Sequence, residues 1–250
     1  MKISLLFAVS TALMLGNKAA YAQAAKAKVL KVSYVSSPLS AKMTAMIKGQ
    51  ISDPKQYATV IQQLSDVKIY HSLYVDVKTN ESIYKLDSIK EVKGMSIAGQ
   101  NVFCYKDIAG NFAAQEKFTG SEYYFNGTAQ ALQWDVTKET KTLGKYNCTK
   151  AILKNSPDVS VWFTPQIPIG NGPEFYYGLP GLVIEADNYF ESCSTSKVEY
   201  LADKSVFLSA VAKYAASVKG KSTLSLEKVI ASKQNFITMA ENKIKNKQGN

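Results

Sequence analysis

Residues 67–78 read VKIYHSLYVDVK, and their side chains alternate between two sets. One set runs from Val67 to Val77 and is apolar except for His71, whereas the other runs from Lys68 to Lys78 and is mostly polar. A period of two places successive side chains on opposite sides of a strand. The stretch therefore predicts a long β-strand with one buried face. We expect His71 to be a core histidine with a satisfied hydrogen bond rather than a metal ligand.

Short predicted strands lie on both sides of this stretch, and turn signals separate them. The triplet 79–81 predicts a hairpin turn. Antiparallel neighbours joined this tightly predict an α+β fold built on a curved antiparallel β-meander or an open barrel. Besides 67–78, the predicted strands begin near residue 29 and cover 82–86, 101–106, 111–118, 122–125, 131–136, 145–153, 159–164, 182–186 and 189–200.

Helix signals stand near both ends of the chain. Asp53 is a good N-cap before Pro54, which predicts a short N-terminal helix over 54–65. Ser225 precedes an apolar stripe at helical spacing, which predicts a C-terminal helix within a tail over 222–246. Residues 203–218 fit either a strand or a helix. The sequence has no internal repeat or low-complexity linker, so we expect a single domain over 23–250.

The first 22 residues have the pattern of a secretory signal peptide. Lys2 supplies the positive start, an apolar run follows to Leu15, and Ala20-Tyr21-Ala22 is a small-x-small cleavage site. No apolar stretch reaches the roughly 18 residues that a transmembrane helix needs. The pattern predicts an exported protein of the periplasm or the outer-membrane periphery, or a secreted one.

The chain is basic, with a net charge of +10, and all 30 of its basic residues are lysine. Arginine is the side chain best suited to paired contacts with phosphate and guanine. Its absence argues against a nucleic-acid partner. Seven lysines against Glu227 and Glu241 give residues 219–250 a charge of +5. We interpret this basic tail as a solvated helix face, with docking to an acidic partner as the alternative.

The chain has three cysteines, which could form one disulfide or remain as free thiols. An exported chain meets an oxidising compartment, and Cys148 and Cys193 flank the most patterned half of the sequence. We therefore favour a Cys148–Cys193 disulfide, with Cys104 left over. The alternative is that all three are buried apolar thiols.

The most distinctive segment lies between residues 143 and 185. Gly178 and Gly181 bracket a Leu-Pro pair, so the backbone can adopt positive φ and approach its neighbours closely. This predicts a structural corner or, alternatively, a ligand-binding loop. The candidate ligand or partner contacts are Trp162, Phe163, Pro173, Tyr176, Tyr177, Leu179 and Pro180, and the structural signature is Gly144, Tyr146, Lys150, Gly178, Gly181, Leu182 and Glu185.

The segment GLPGLV at 178–183 resembles the motif that names the GLPGLI family of exported Bacteroidetes proteins, with Val183 in place of isoleucine. The Trp162-Phe163-Thr164 run and the Gly-x-Tyr-x-Cys-x-Lys-Ala segment at 144–151 are also similar to that family. The resemblance implies an envelope or secreted protein, often encoded near outer-membrane transporters, and it supplies no catalytic residues that could be carried over to this chain. Asp87-Ser88-Ile89 is similar to the O-glycosylation site of such bacteria, which implies modification at Ser88.

The sequence contains few signals of catalysis. The sequence has one histidine and no nucleophile elbow, phosphate loop, dinucleotide fingerprint or zinc-ligand spacing, so we expect neither metal nor cofactor. We therefore expect a non-enzymatic binding or accessory protein for an apolar or peptide ligand or a membrane-protein partner, with the aromatic 162–177 loop at the rim of an apolar cleft. One alternative is an assembly protein. The other is a hydrolase, which requires Glu174, Glu185 and Asp187 to converge in a cleft; Glu191 is a fourth acid nearby.

Overall fold

A computed structural model describes residues 27–93 and 99–248 of the chain, so the predicted signal peptide lies outside the described residues. Within these ranges, twelve strands form one sheet. Their bounds are β1 Val29–Ser37, β2 Lys68–Asp76, β3 Ser82–Lys90, β4 Gly99–Lys106, β5 Asn111–Phe118, β6 Ser121–Thr128, β7 Trp134–Leu143, β8 Tyr146–Leu153, β9 Ser156–Thr164, β10 Leu182–Asp187, β11 Ser192–Leu201 and β12 Thr223–Ser225.

The sheet is mixed and consists of two meanders joined side by side. The order is β12-β6-β5-β4-β3-β2-β1-β11-β10-β9-β8-β7. Strands β1 to β6 form one antiparallel meander and β7 to β11 the other, and the antiparallel β1–β11 pair joins them. Strand β12 pairs in parallel with β6. The β-rich α+β prediction is confirmed, whereas the single meander is only partly right, because β6 and β7 follow each other in the chain without pairing.

The sheet curls strongly but does not close. In a flat sheet with strands about 4.8 Å apart, β6 and β7 would lie roughly 48 Å from each other. Yet Phe175 contacts Phe125 of β6, while the next residue, Tyr176, contacts Trp134 of β7. Residues 175 and 176 therefore bridge strands near opposite edges of the sheet, which wraps around them as an open barrel.

Four α-helices lie in the described ranges: α1 Ala41–Gln50, α2 Pro54–Asp66, α3 Ser205–Val218 and α4 Leu226–Gln248. Asp53 caps α2 as predicted, since its carboxylate accepts a hydrogen bond from the Gln56 amide at 2.6 Å. Helix α1, whose N-cap is Ser40, was not predicted from the sequence. The ambiguous segment 203–218 contains α3. Among the described helices, none is long and apolar enough to cross a membrane.

The two faces of the sheet carry cores of different size. The first face, which bears Leu30, Val32 and Tyr34 of β1, packs against residues 165–181 and α4 in a large core. The second face packs Phe207 and Tyr214 of α3 in a smaller core. The prediction that strand 67–78 buries only one face is therefore wrong for residues 71–76 of β2, where both faces are buried and α3 covers the second.

Candidate functional site

Residues 165–181, called here the signature loop, fill the first face of the sheet. Gly178 adopts a φ of +88°, a conformation that favours glycine. Gly181 lies so close to β9 that a Cβ atom would stand 2.1 Å from the Thr164 carbonyl oxygen. Both glycines thus have the roles that the sequence predicts for them, and the loop is a packed structural corner.

Most candidate ligand contacts of the signature segment are buried in the core. Phe163, Tyr176 and Tyr177 each expose at most 4% of their surface. The Trp134 indole Nε1 donates a hydrogen bond to the Tyr177 carbonyl oxygen at 2.8 Å, which ties the loop to β7. Pro173 and Leu179 are buried as well, whereas Pro180 is exposed. The signature loop therefore occupies the space in which an apolar cleft was predicted, and it does not form the rim of an opening there.

Lys150, Trp162 and Glu185 form a row on the second face, whereas Leu182 is buried in the large core and Gly144 adopts a φ of +58° in the turn before β8. Trp162 on β9 pairs in register with Lys150 on β8 and with Glu185 on β10. The Lys141 ammonium lies over the Trp162 ring at 4.3 Å from its centroid and donates to the Glu185 carboxylate. Phe163 faces the core while Trp162 faces outward, as strand alternation predicts. This row is a half-exposed ion-pair ladder, a common way to solvate a sheet face.

A cluster of charged side chains is buried between the first face, the signature loop and α4. Its members are Glu116 of β5, Glu174 of the loop, Glu191 just before β11, and Lys233 of α4, each at most 7% exposed. The Lys233 ammonium pairs with the Glu116 carboxylate at 2.7 Å. The Asn188 amide donates to the Glu174 carboxylate at 2.7 Å. We call these four residues the buried charge cluster.

The electrostatics of this cluster are unusual for a protein interior. Burial, followed by the neighbouring carboxylates, raises the pKa of Glu191 well above its ordinary value. Burial also raises the pKa of Glu174, against the lowering effect of Lys233. One oxygen each of Glu116 and Glu191 has no hydrogen-bond partner among the described residues. Glu174 further adopts a φ of +53°, which is rare for a residue other than glycine.

The buried charge cluster differs from the carboxylate set that the hydrolase alternative requires. Glu185 is on the second face with Lys141, and the Asp187 carboxylate accepts hydrogen bonds from the Ala41 amide at the start of α1 at 3.2 Å. Glu174 therefore does not converge with either acid. The two cavities beside the cluster measure about 10 Å³ each, room for one water at most. In the part of the chain that the structure describes, these three acids do not have the convergent arrangement that the hydrolase alternative requires.

Two members of the cluster were overlooked in the sequence although a signal existed. Glu116 alternates with Phe112, Ala114 and Phe118, so it occupies a core position of β5. Lys233 lies on the apolar stripe of α4, seven residues after Leu226. The interpretation of the basic tail as a solvated face is therefore wrong for Lys233. It fits Lys228, Lys243 and Lys245, which are exposed.

All three cysteines, which lie within the described residues, are free and buried, so the predicted Cys148–Cys193 disulfide is wrong. Cys148 is on β8 and Cys193 on β11, and two strands separate them. That arrangement places their backbones roughly 14 Å apart, twice the reach of a disulfide. Burial raises the pKa of the Cys104 thiol to about 12. The alternative of three buried apolar thiols agrees with the structure.

His71 is a buried core histidine, as predicted. Its Nε2 atom lies 3.0 Å from the Asn101 carbonyl oxygen, and its ring stacks on Tyr84 with centroids 4.6 Å apart. Burial lowers the pKa of His71 to about 4. In the described part of the chain, no group of three or more histidine, cysteine or acidic residues is placed to hold a metal ion. Ser88, the predicted glycosylation position, is exposed on β3.

An apolar groove, here the α3 groove, opens between α3 and the second face. Its volume is about 600 Å³, within the range of roughly 300–1,000 Å³ typical of small-molecule pockets. Val102 and Phe103 of β4 form its floor, and Ala210 and Tyr214 of α3 form one wall. A cleft of this size on the second face was not predicted, because the sequence left 203–218 open between strand and helix.

The charged groups of the α3 groove are basic. Lys85 and Lys213 line it, and no acidic side chain does so among the described residues. Lys85 is paired with Asp87, whereas the exposed Lys213 makes no ion pair with the described part of the chain. The groove thus combines apolar walls with one unpaired cation at its rim. Such a site favours a ligand with an apolar body and an anionic end.

The fold and site define an α+β protein with a curled open sheet and an apolar groove. Over residues 153–185 the chain matches a family model described as a protein of unknown function (Porph_ging). No match is found among curated proteins.

Solved structures show distant similarity. Two structures of PNGF-II, in space groups C2 and P21, are 15% and 12% identical to this chain, with TM-scores of 0.42 and 0.44. Those alignments cover 86% of this chain but only 33% and 34% of PNGF-II, so the chain spans about a third of that protein's length. An uncharacterised conserved protein from Thermus thermophilus aligns over 84% of this chain and 99% of its own, at 4% identity and a TM-score of 0.34.

Proposed function

We propose that this chain is an exported cell-envelope binding protein of the GLPGLI type, and that the α3 groove holds an acyl chain with an anionic end. The observation that carries the proposal is the pairing of a 600 Å³ apolar groove with the unpaired Lys213 at its rim. The export pattern of residues 1–22 and the signature at 143–185 support the envelope location. On this proposal the protein is a non-enzymatic carrier, in the periplasm or at the outer-membrane periphery.

The groove suits a fatty acid better than a peptide. A peptide needs several backbone hydrogen-bond partners, whereas an acyl chain needs only apolar contact. Ile83, Val102 and Ala210 supply such contact, and a carboxylate or phosphate near Lys213 remains in water. Desolvation of the charged end is therefore avoided, and the binding energy comes from burying the chain.

The test is binding of cis-parinaric acid, a fatty acid whose fluorescence rises in apolar surroundings. Ala210→Phe puts a bulky ring into the groove, and we expect it to weaken binding by about tenfold or more. The matched control is Ala212→Phe, which adds the same ring at an exposed position of the same helix and should leave affinity unchanged. Saturable binding that Ala210→Phe does not weaken would place the ligand elsewhere, and absence of binding would refute the proposal.

A second measurement identifies the natural ligand class. The mature protein, purified from envelopes in mild detergent, is extracted and its small molecules and co-purifying proteins are identified by mass spectrometry. A lipid at near-stoichiometric amount supports the carrier. A stoichiometric membrane protein without lipid would instead favour an accessory subunit.

A further inference from the structure

The buried charge cluster contains more acidic than basic side chains. Protonation of a carboxylate reduces this excess of negative charge. With every member ionised, three carboxylates would face the single ammonium of Lys233 in a space that excludes bulk water. The Glu174 and Glu191 carboxyl groups lie near each other in this space, and two adjacent buried carboxylates are stabilised when one of them carries a proton. Closing the cluster therefore favours the binding of a proton.

The four members of the cluster come from different elements that pack together beside α4. Glu174 is close in sequence to the buried tyrosines of the signature loop, and Glu191 is the residue immediately before β11. The titratable or charged groups that face the Glu174–Glu191 pair are Glu116 on β5, Tyr176 in the signature loop, Tyr84 on β3, Cys193 on β11, Tyr123 on β6 and Lys233 on α4.

We propose that the buried charge cluster is a proton-dependent latch that holds α4 against the first face of the sheet. Lys233 is the member of the cluster that α4 contributes. When α4 separates from the sheet, the Lys233 ammonium therefore moves away from the carboxylates. When the Glu174–Glu191 proton is lost, two adjacent carboxylates repel each other in a site that cannot hydrate them. Separation of α4 then admits water to all four groups. Opening also exposes Phe118 and Phe190, which contact Phe236 of α4.

The sign of the pH dependence follows from the direction of the pKa shifts. The folded-state pKa values of Glu174 and Glu191 lie above the ordinary value of 4.5. The folded state therefore binds more protons than the unfolded state above that pH. The stabilisation that comes from the Glu174–Glu191 proton is fully present below about pH 4.5 and is lost as the pH rises through the folded-state values.

The test is hydrogen exchange of the full-length mature protein across a pH series, with protection factors corrected for the intrinsic exchange rate. We expect the protection of α4 to fall with rising pH by up to about tenfold per pH unit for each proton released, while the protection of β1 and β2 changes less. Glu191→Gln keeps a hydrogen-bond donor toward Glu174 but cannot ionise. This variant should fold, keep α4 protected at alkaline pH and flatten the pH dependence.

The control variant is Glu122→Gln, which removes an exposed carboxylate of the same sheet and should keep the wild-type slope. A Glu191→Gln profile that is parallel to the wild type would overturn the proposal. A pH dependence spread evenly over α4, β1 and β2 would also overturn it, because the effect would then be global rather than a release of α4.

Discussion

The two faces of the sheet use the same strands for opposite purposes. The first face is closed: the signature loop and α4 fill it, and four charged groups are sealed inside. The second face is covered over β2 to β4 by α3 and leaves the α3 groove open beside Lys213. The buried charged residues thus lie beside cavities of only about 10 Å³, whereas the 600 Å³ α3 groove is lined mostly by apolar side chains. The binding function proposed above depends on this division.

Substitutions on the two faces should affect different properties of the protein, stability on the first face and ligand affinity on the second. Changes on the first face should alter folding strongly, because they disturb a closed core. Changes at the rim of the α3 groove should alter affinity with little effect on folding.

Gly181→Ala should be the most damaging. Its Cβ atom would stand 2.1 Å from the Thr164 carbonyl oxygen, so the signature loop has to move away from β9. We expect a loss of about 4 kcal/mol or more in the free energy of unfolding, measured by urea denaturation. Gly120→Ala is the control, because its φ of +84° is strained but no atom lies within 4 Å of the added Cβ; it should cost about 1 kcal/mol. Equal costs for the two variants would contradict the prediction.

Lys233→Met should cost about 3 kcal/mol at neutral pH, because it leaves the buried Glu116 carboxylate without its cation. The loss should shrink at low pH, where the carboxylates are protonated. Urea denaturation at two pH values measures both effects. Lys228→Met makes the same chemical change at an exposed position of α4 and should stay within about 0.5 kcal/mol of the wild type. If the two lysine variants behave alike, Lys233 is not part of a buried ion pair.

His71 should make the first face sensitive to acid. Burial lowers its pKa from 6.5 to about 4, so the unfolded state binds the proton more readily in that window. Stability from neutral His71 is present above about pH 6.5 and is lost as the pH falls toward 4, by up to about 3 kcal/mol. His71 is the single histidine of the chain, so its imidazole NMR signals can be assigned directly. A titration midpoint near 6.5 would show that the ring is hydrated.

Lys213→Glu should have the smallest effect on folding, within about 0.5 kcal/mol, because the side chain is exposed. It should nevertheless weaken binding of cis-parinaric acid by about three- to tenfold, since it reverses the charge at the groove rim. The fluorescence titration at low and high salt measures this, and added salt should reduce the difference. The reversed charge of Lys138→Glu on β7 is the control. An equal effect of both variants would point to net charge rather than to the groove.

Much of the sheet could be predicted because its determinants are local. The alternation at 67–78 located β2, and Asp53 with Pro54 located the start of α2. Gly178 and Gly181 were assigned to a corner for reasons that the structure confirms. Each of these depends on a few neighbouring residues, where strand period, capping and glycine geometry act directly.

The features that were missed depend on residues far apart in the chain. Glu116 and Lys233 are separated by more than a hundred positions, and nothing local shows that β5 and α4 place them together. Their core-facing positions were visible in the periodicity, but their charge suggested solvent. The α3 groove required knowing which strands α3 covers. The disulfide prediction failed because strand order, rather than sequence order, sets the Cys148–Cys193 separation.

The pair that joins the two meanders has a consequence for folding kinetics. Strand β1 ends at Ser37, and its partner β11 begins at Ser192. The segment between them is about three-fifths of the chain, and the ribosome must synthesise all of it before β1 and β11 can pair. Until then the outer edge of β1 has unpaired amide and carbonyl groups that another chain can bind. Closing so long a loop makes folding slow relative to a protein with local pairings. We expect nascent or refolding chains to be most prone to aggregation at this edge, before β11 arrives.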